Sequence, residues 1–193
     1  MSHSATERLR LQPAPHGLAL VQDFLNTRDI GQKVPDLLAT TGQARVWLAE
    51  TASTDAANCA WIADLTERDL VGLRKLRSEI KSFVAGVENS SAATVVTRIA
   101  LLVQPSGELV LEPTGTGTRR FASATWGAIF LAQRADNFKR LKLCQNVACS
   151  SAFYDRSKNN SGVWHDVKTC GNTANLRASR ARRRAVSNGT EAG

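Results

Sequence analysis

The sequence has no apolar run near the roughly 20 residues that span a bilayer. Its longest, Ile99 to Val103, is the length of a strand, so no membrane partner is expected. Residues Met1 to Pro15 carry charges and prolines where a signal peptide places an apolar stretch. The chain is therefore expected in the cytoplasm, where thiols stay reduced. Cysteine is scarce, at 4 of 193 residues, which excludes a disulfide scaffold. There is no Gly-rich phosphate loop, no Ser-His-Asp order and no helix-borne metalloprotease motif, so an enzyme is not expected.

What is present is an ordinary globular composition, 42% hydrophobic and 22% charged, in a length that suits one domain or two small ones. Charge is unevenly placed. Residues 1–135 hold 14 Lys and Arg against 13 Asp and Glu, whereas residues 136–193 hold 11 against 4. Nearly all of the net charge of +8 thus sits in the C-terminal third. A basic end on a neutral body is the electrostatic footprint of a nucleic-acid reader. It is equally the pattern of a solvated basic tail.

The hydrophobic pattern gives an α+β body, mainly helical, with a small hairpin. Residues 1–15 hold two of the five prolines and read as a loose arm. Leu18, Val21, Phe24 and Leu25 recur at helical spacing and predict a helix over 18–26. Leu37 and Leu38, then Val46, Trp47 and Leu48, predict two short helical pieces broken near Thr41-Gly42. Thr66 and Asp69 form a capping-box pair that should start a long helix, whose apolar stripe runs through Leu70, Leu73, Leu76, Ile80, Phe83, Val84 and Val87. Leu101 and Val103, the turn Pro105-Ser106-Gly107, and the alternation around Leu109 and Leu111 predict a hairpin. Gly115 and Gly117 mark a loop, and Trp126, Ile129, Phe130, Phe138 and Leu141 predict a last body helix.

Chemistry concentrates at the C-terminal end. Cys144 and Cys149 are separated by four residues, and so are His165 and Cys170. Two ligand pairs bracketing a loop suit a tetrahedral Zn²⁺ site. Reduced buried cysteines, a disulfide and a catalytic thiol are the competing readings. Cys59 has no ligand-like neighbour and reads as a small buried hydrophobe. His3 and His16 fall in or beside the arm and read as surface residues.

The stretch Cys144-Gln-Asn-Val-Ala-Cys149, Phe153-Tyr154-Asp155-Arg-Ser157, Trp164-His165, Cys170-Gly171-Asn172 and the arginines from Arg177 to Arg184 resembles the bacterial CGNR zinc-finger family. Members carry this finger after an ABATE domain, which is associated with stress-induced transcription regulation. Leu18-Ala-Leu-Val-Gln-Asp23-Phe-Leu-Asn26-Thr27 looks like that domain's opening motif, and Leu65-Thr66 through Leu73-Arg74-Lys-Leu-Arg77 like its central helix. The resemblance implies an arm at 1–15, an ABATE-like domain at 16–140, a treble-clef-like finger with a basic helix at 141–186, and a disordered tail at 187–193. It also implies one structural zinc per chain on Cys144, Cys149, His165 and Cys170, with Phe153 and Trp164 as the finger's small core. The pattern departs at three places. His165 replaces a cysteine, Thr173 replaces the signature arginine, and Gly162-Val163 replaces a basic pair.

The residues then point to a DNA-binding transcription regulator. Arg177, Arg180 and Arg184 share one helix face, with Lys168, Arg182 and Arg183 nearby, and guanidinium groups bind phosphates or guanine edges. The alternative is a zinc-scaffolded adaptor that meets RNA or an acidic protein. In the body, Asn26, Thr27, Arg74 and Arg77 are polar groups that can converge on a small-molecule ligand, against a structural reading as caps and pairs. No heptad seam fixes an oligomeric state.

Overall fold

The computed structural model describes residues 4–30, 34–51, 56–86, 95–177 and 179–180. Among the described residues the chain is about half helical, with two small antiparallel sheets. Its elements, in order, are α1 (Leu18–Leu25), α2 (Thr41–Thr51), α3 (Ala56–Ala63), α4 (Glu67–Val84), β1 (Ile99–Val103), β2 (Leu109–Pro113), α5 (Gly117–Arg134), β3 (Leu141–Leu143) and β4 (Ala152–Tyr154). A π-helical turn, Val167–Gly171, leads into α6, residues 172–177.

Helix α4 follows directly from its sequence. The Thr66 hydroxyl accepts from the Asp69 amide while the Asp69 carboxylate accepts from the Thr66 amide, so two orphan N–H groups are satisfied reciprocally. Leu70, Leu73, Leu76 and Ile80 are buried along one stripe, each worth about 1.5–3 kcal/mol of apolar transfer. Against this stripe pack α1, α2 and α5. Phe24 of α1 stacks on Trp47 of α2 at 5.8 Å and meets Phe121 of α5 edge-on at 4.9 Å.

Three sequence expectations shift. The Thr41-Gly42 pair does not break a helix but starts α2, because the Thr40 hydroxyl accepts from the Gln43 amide as a cap, and Leu37 and Leu38 lie in the turn before it. The last body helix starts at Gly117 and stops at Arg134. Phe138 then sits in a 3₁₀ turn and Leu141 in β3, after Asp136 takes a positive φ of 56° that ends helical geometry.

Residues 4–15, which read as a loose arm, are held down. The Asp23 carboxylate accepts from Ser4 Oγ at 2.7 Å, the Ala5 amide at 3.2 Å, the Thr6 amide at 2.8 Å and Trp47 Nε1 at 2.7 Å. Ala5, Thr6 and Ala14 are buried. Apolar periodicity could not show this, since the anchor is a carboxylate that collects donors across 17 to 24 residues. The same core continues into the C-terminal segment, where Leu141 of β3 and Ala152 of β4 are buried with the helices.

Candidate metal centre and basic helix

Strands β3 and β4 pair with Leu141 opposite Tyr154, Lys142 opposite Phe153 and Leu143 opposite Ala152. The Cys144 amide extends the ladder to Ser151 O at 2.9 Å, so the loop between them closes on itself as a knuckle. Asn146 shapes it. Its carbonyl accepts from the Cys149 and Ser150 amides at 2.7 and 2.9 Å, and its Oδ1 from the Ala148 amide at 3.3 Å. From the other side, Asp166 caps the π-helical turn by accepting from the Lys168 and Thr169 amides at 2.7 and 3.2 Å. That turn carries Cys170 back toward the knuckle.

The result is a convergent donor set. The ligand atoms of Cys144, Cys149, His165 and Cys170 all lie within 4.8 Å of one another, and the three sulfurs belong to free, buried cysteines. Cys149 Sγ is 3.3 Å from His165 Nδ1. A zinc tetrahedron with bonds of about 2.0–2.3 Å needs this mixture of soft and borderline donors at such spacing. Before an ion binds between them, the two adjacent thiols share a proton and shift in opposite directions: the contact with Cys149, together with burial, pushes the Cys144 thiol up. The neighbouring Cys144 thiol pulls the Cys149 thiol well below its ordinary value, against burial, with help from His165 and Ser151. Cys149 in turn raises His165. A thiolate stabilised in this way is the species that binds metal.

Two contributors escaped the sequence reading. Asn146 Nδ2 donates to Cys170 Sγ at 3.3 Å, and Ser151 Oγ lies 2.9 Å from Cys149 Sγ. Hydrogen bonds of this kind orient a ligand and tune its charge. The available signal was an Asx residue two places after the first cysteine, where knuckles need a side-chain acceptor. Phe153 and Trp164 pack on the cysteines as expected, joined by Leu11 from the N-terminal segment.

Beyond the metal centre, Lys168, Arg177 and Arg180 are exposed. Arg177 Nη1 reaches Asn146 Oδ1 at 3.5 Å. Arg182, Arg183 and Arg184 lie outside the described residues, as does the Cys59 side chain. Thr173 turns its hydroxyl back onto Thr169 O at 2.7 Å.

The polar groups of the body do not converge on an open site. Asn26 bonds Ala152 and Thr6, and Thr27 Oγ1 donates to Phe24 O at 2.7 Å. Arg77 grips Asp36 through two nitrogens at 2.8 and 2.6 Å and donates to Thr27 Oγ1 at 2.8 Å. Arg74 caps the carbonyls of Leu38 and Ala39 at 2.8 and 2.9 Å. Of the two readings of these residues, the arrangement favours the structural one, because their donors and acceptors are directed at the protein itself. Asn26 and Thr27 are fully buried.

Residues 140–183 match the family model of the CGNR zinc finger. Residues 18–149 match that of ABATE, described as "Putative stress-induced transcription regulator". No curated protein matches the chain significantly. With the finger match, the Cys144, Cys149, His165 and Cys170 cluster is the seat of one structural zinc ion.

Proposed function

The chain belongs to the ABATE family, and from that premise we propose that it is a DNA-binding transcription regulator whose zinc-stabilised finger contacts the duplex. One observation carries this reading. Arg177 extends from α6 to Asn146 at 3.5 Å, and Asn146 is bonded to the metal ligand Cys170 at 3.3 Å, so the basic helix is registered to the metal centre rather than free. A guanidinium held in this way meets phosphate oxygens or a guanine edge with little further loss of freedom. The surplus of 11 basic over 4 acidic residues in 136–193 supplies the surrounding field.

The role of the metal is structural. Four protein ligands close a zinc ion and leave no position for water, which supports a protein that is not an enzyme. For the body, a signal-sensing role is supported by an apolar cavity of about 350 Å³ between the start of α1 and α5, lined by Pro15, Leu18, Ala128, Leu131 and Ala132 among others. That volume lies in the range of small-molecule sites.

The uncharged side chains at Gly162, Val163 and Thr173 favour a second reading, an adaptor for RNA or an acidic protein. Fluorescence-anisotropy titrations of a random-sequence duplex against salt separate the two. The wild type should bind with a steep salt dependence, and the Arg177→Ala/Arg180→Ala double variant should flatten the log–log slope by about 2. Equal slopes and affinities would remove this face from DNA contact. Preference for structured RNA over duplex would favour the second reading.

A further inference from the structure

The β1–β2 hairpin has two edges, and they are treated differently. A turn closes it, with the Gly107 amide on Gln104 O and the Gln104 amide on Glu108 O, both at 2.8 Å. The φ of +84° at Gly107 suits glycine. Gln104 and Glu108 are therefore a hydrogen-bonded pair. Along the register Val103↔Leu109, Leu102↔Val110, Leu101↔Leu111, Ala100↔Glu112 and Ile99↔Pro113, bonded and non-bonded pairs alternate. Leu102 and Ala100 thus bond inward to β2, while the N–H and C=O groups of Ile99, Leu101 and Val103 point outward along the β1 edge. Pro113, which has no N–H, lies opposite Ile99, as this alternation requires.

The β2 edge is blunted. It ends on Pro113, whose carbonyl accepts from Arg120, and Arg120 also pairs with Glu112 at 2.7 Å. The β1 edge has none of these devices. Among the described residues no strand pairs with it, and residues 99–103 contain no charge and no proline. Leu101, Val103 and, across the hairpin, Leu109 share one face and are 59%, 72% and 61% exposed. A bare, uncharged, apolar edge is what soluble proteins normally avoid unless something pairs with it.

We propose that the partner is a second copy of this chain, joined by antiparallel β1–β1 pairing about a two-fold axis through Leu101. The strand is complementary to itself in three respects. With Leu101 opposite Leu101, Ile99 falls opposite Val103 in both directions, so all three outward-facing residues pair and six hydrogen bonds form. Arg98 falls opposite Gln104 rather than another Arg98, so no like charges meet. Finally, Ile99 lies over α5, close to Gly127, so the pairing carries the exposed Val103 of one hairpin to the covered base of the other. The product is a four-stranded sheet with β1 strands at its centre and the blunted β2 strands outside. Such isologous contacts are the commonest route to a homodimer.

Light scattering on the zinc-loaded full chain, read over a range of concentrations, together with amide hydrogen exchange, tests this without DNA and so stands apart from the DNA-binding reading. The expected mass is twice the 20.9 kDa of the chain. The Ile99, Leu101 and Val103 amides should exchange at least about tenfold more slowly in the dimer than in the monomer, while Ala100 and Leu102 remain protected in both. Leu101→Lys places two ammonium groups on the axis and should halve the mass with zinc content and helical circular dichroism unchanged. Val71→Lys, at an equally exposed apolar site on α4 (62%), should leave the dimer intact. A monomer at every concentration overturns the proposal. So does a dimer that survives Leu101→Lys, or one in which those three amides exchange freely.

Discussion

Asn26 holds both backbone groups of Ala152, a residue 126 positions away: its Oδ1 accepts from the Ala152 amide at 2.8 Å and its Nδ2 donates to the Ala152 carbonyl at 3.0 Å. Ala152 opens β4, and its opposition to Leu143 is a non-bonded pair, so these groups point away from β3. The Asn26 carboxamide pairs with them as an adjacent strand would. Gln22, one helical turn earlier, adds a bond from Nε2 to the same carbonyl at 3.3 Å and accepts from the Ala14 amide. One face of α1 therefore binds the N-terminal segment and the finger to the body.

Asn26→Ala should cost about 3 kcal/mol, because it leaves the buried Ala152 N–H without a partner and its carbonyl with the longer Gln22 bond alone. Asn26→Asp should not rescue it, since a carboxylate oxygen would then face the Ala152 carbonyl. Urea unfolding of the zinc-loaded protein measures both. A loss below about 0.5 kcal/mol, the range of ordinary surface substitutions, would show that the clamp contributes nothing.

Zinc content separates the ligands from their supporters. Elemental analysis should find about one Zn²⁺ per wild-type chain and markedly less in both Cys144→Ser and His165→Ala. Loss in Cys144→Ser alone would remove His165 from the ligand set. Asn146→Ala keeps all four ligands but loses the hydrogen bond to Cys170, so it should bind one zinc about 10- to 100-fold more weakly in a chelator competition. Unchanged affinity would make Asn146 a loop residue and nothing more.

What the sequence made legible follows from range. The capping box at Thr66 and Asp69, the stripe of α4 and the β1–β2 turn are local signals, complete within a few residues. The four metal ligands were legible because thiol and imidazole side chains at paired spacing have few other uses. The motif residues Asp23, Asn26, Thr27 and Arg77 could be read as important but not as to purpose. Each acts on a partner 17 to 126 residues away, and no periodicity encodes such a contact. The arm was misread for the same reason. Polarity and proline suggested freedom, whereas the Asp23 carboxylate supplies an anchor that hydropathy does not register.

A buried carboxylate, Asp155, sets the acid stability of the finger. It accepts from Lys142 Nζ at 2.7 Å, the Ser157 amide at 2.9 Å and the Gly162 amide at 2.7 Å. Burial pushes its pKa up, but these donors outweigh burial and hold it well below the ordinary carboxylate range. A carboxyl depressed in the folded state stabilises fully above its unfolded value of about 3.9 and loses that contribution as pH falls toward the folded value. Wild-type stability should therefore fall more steeply than that of Asp155→Asn on acidification below about pH 4. Acid also releases zinc from thiolate and imidazole ligands, equally in both proteins, so the difference between their unfolding curves isolates Asp155. Parallel curves would refute the assignment. The same carboxylate explains the glycine at 162. A Cβ there would lie 2.9 Å from Asp155 Cγ and Oδ2, closer than side chains pack. Gly162→Arg, which restores the basic residue of the family pattern, should thus destabilise by about 1–3 kcal/mol through overpacking. In an Asp155→Ala background the clash is gone, and the same substitution should have a much smaller effect. Additive effects of the two changes would show that the glycine is there for another reason.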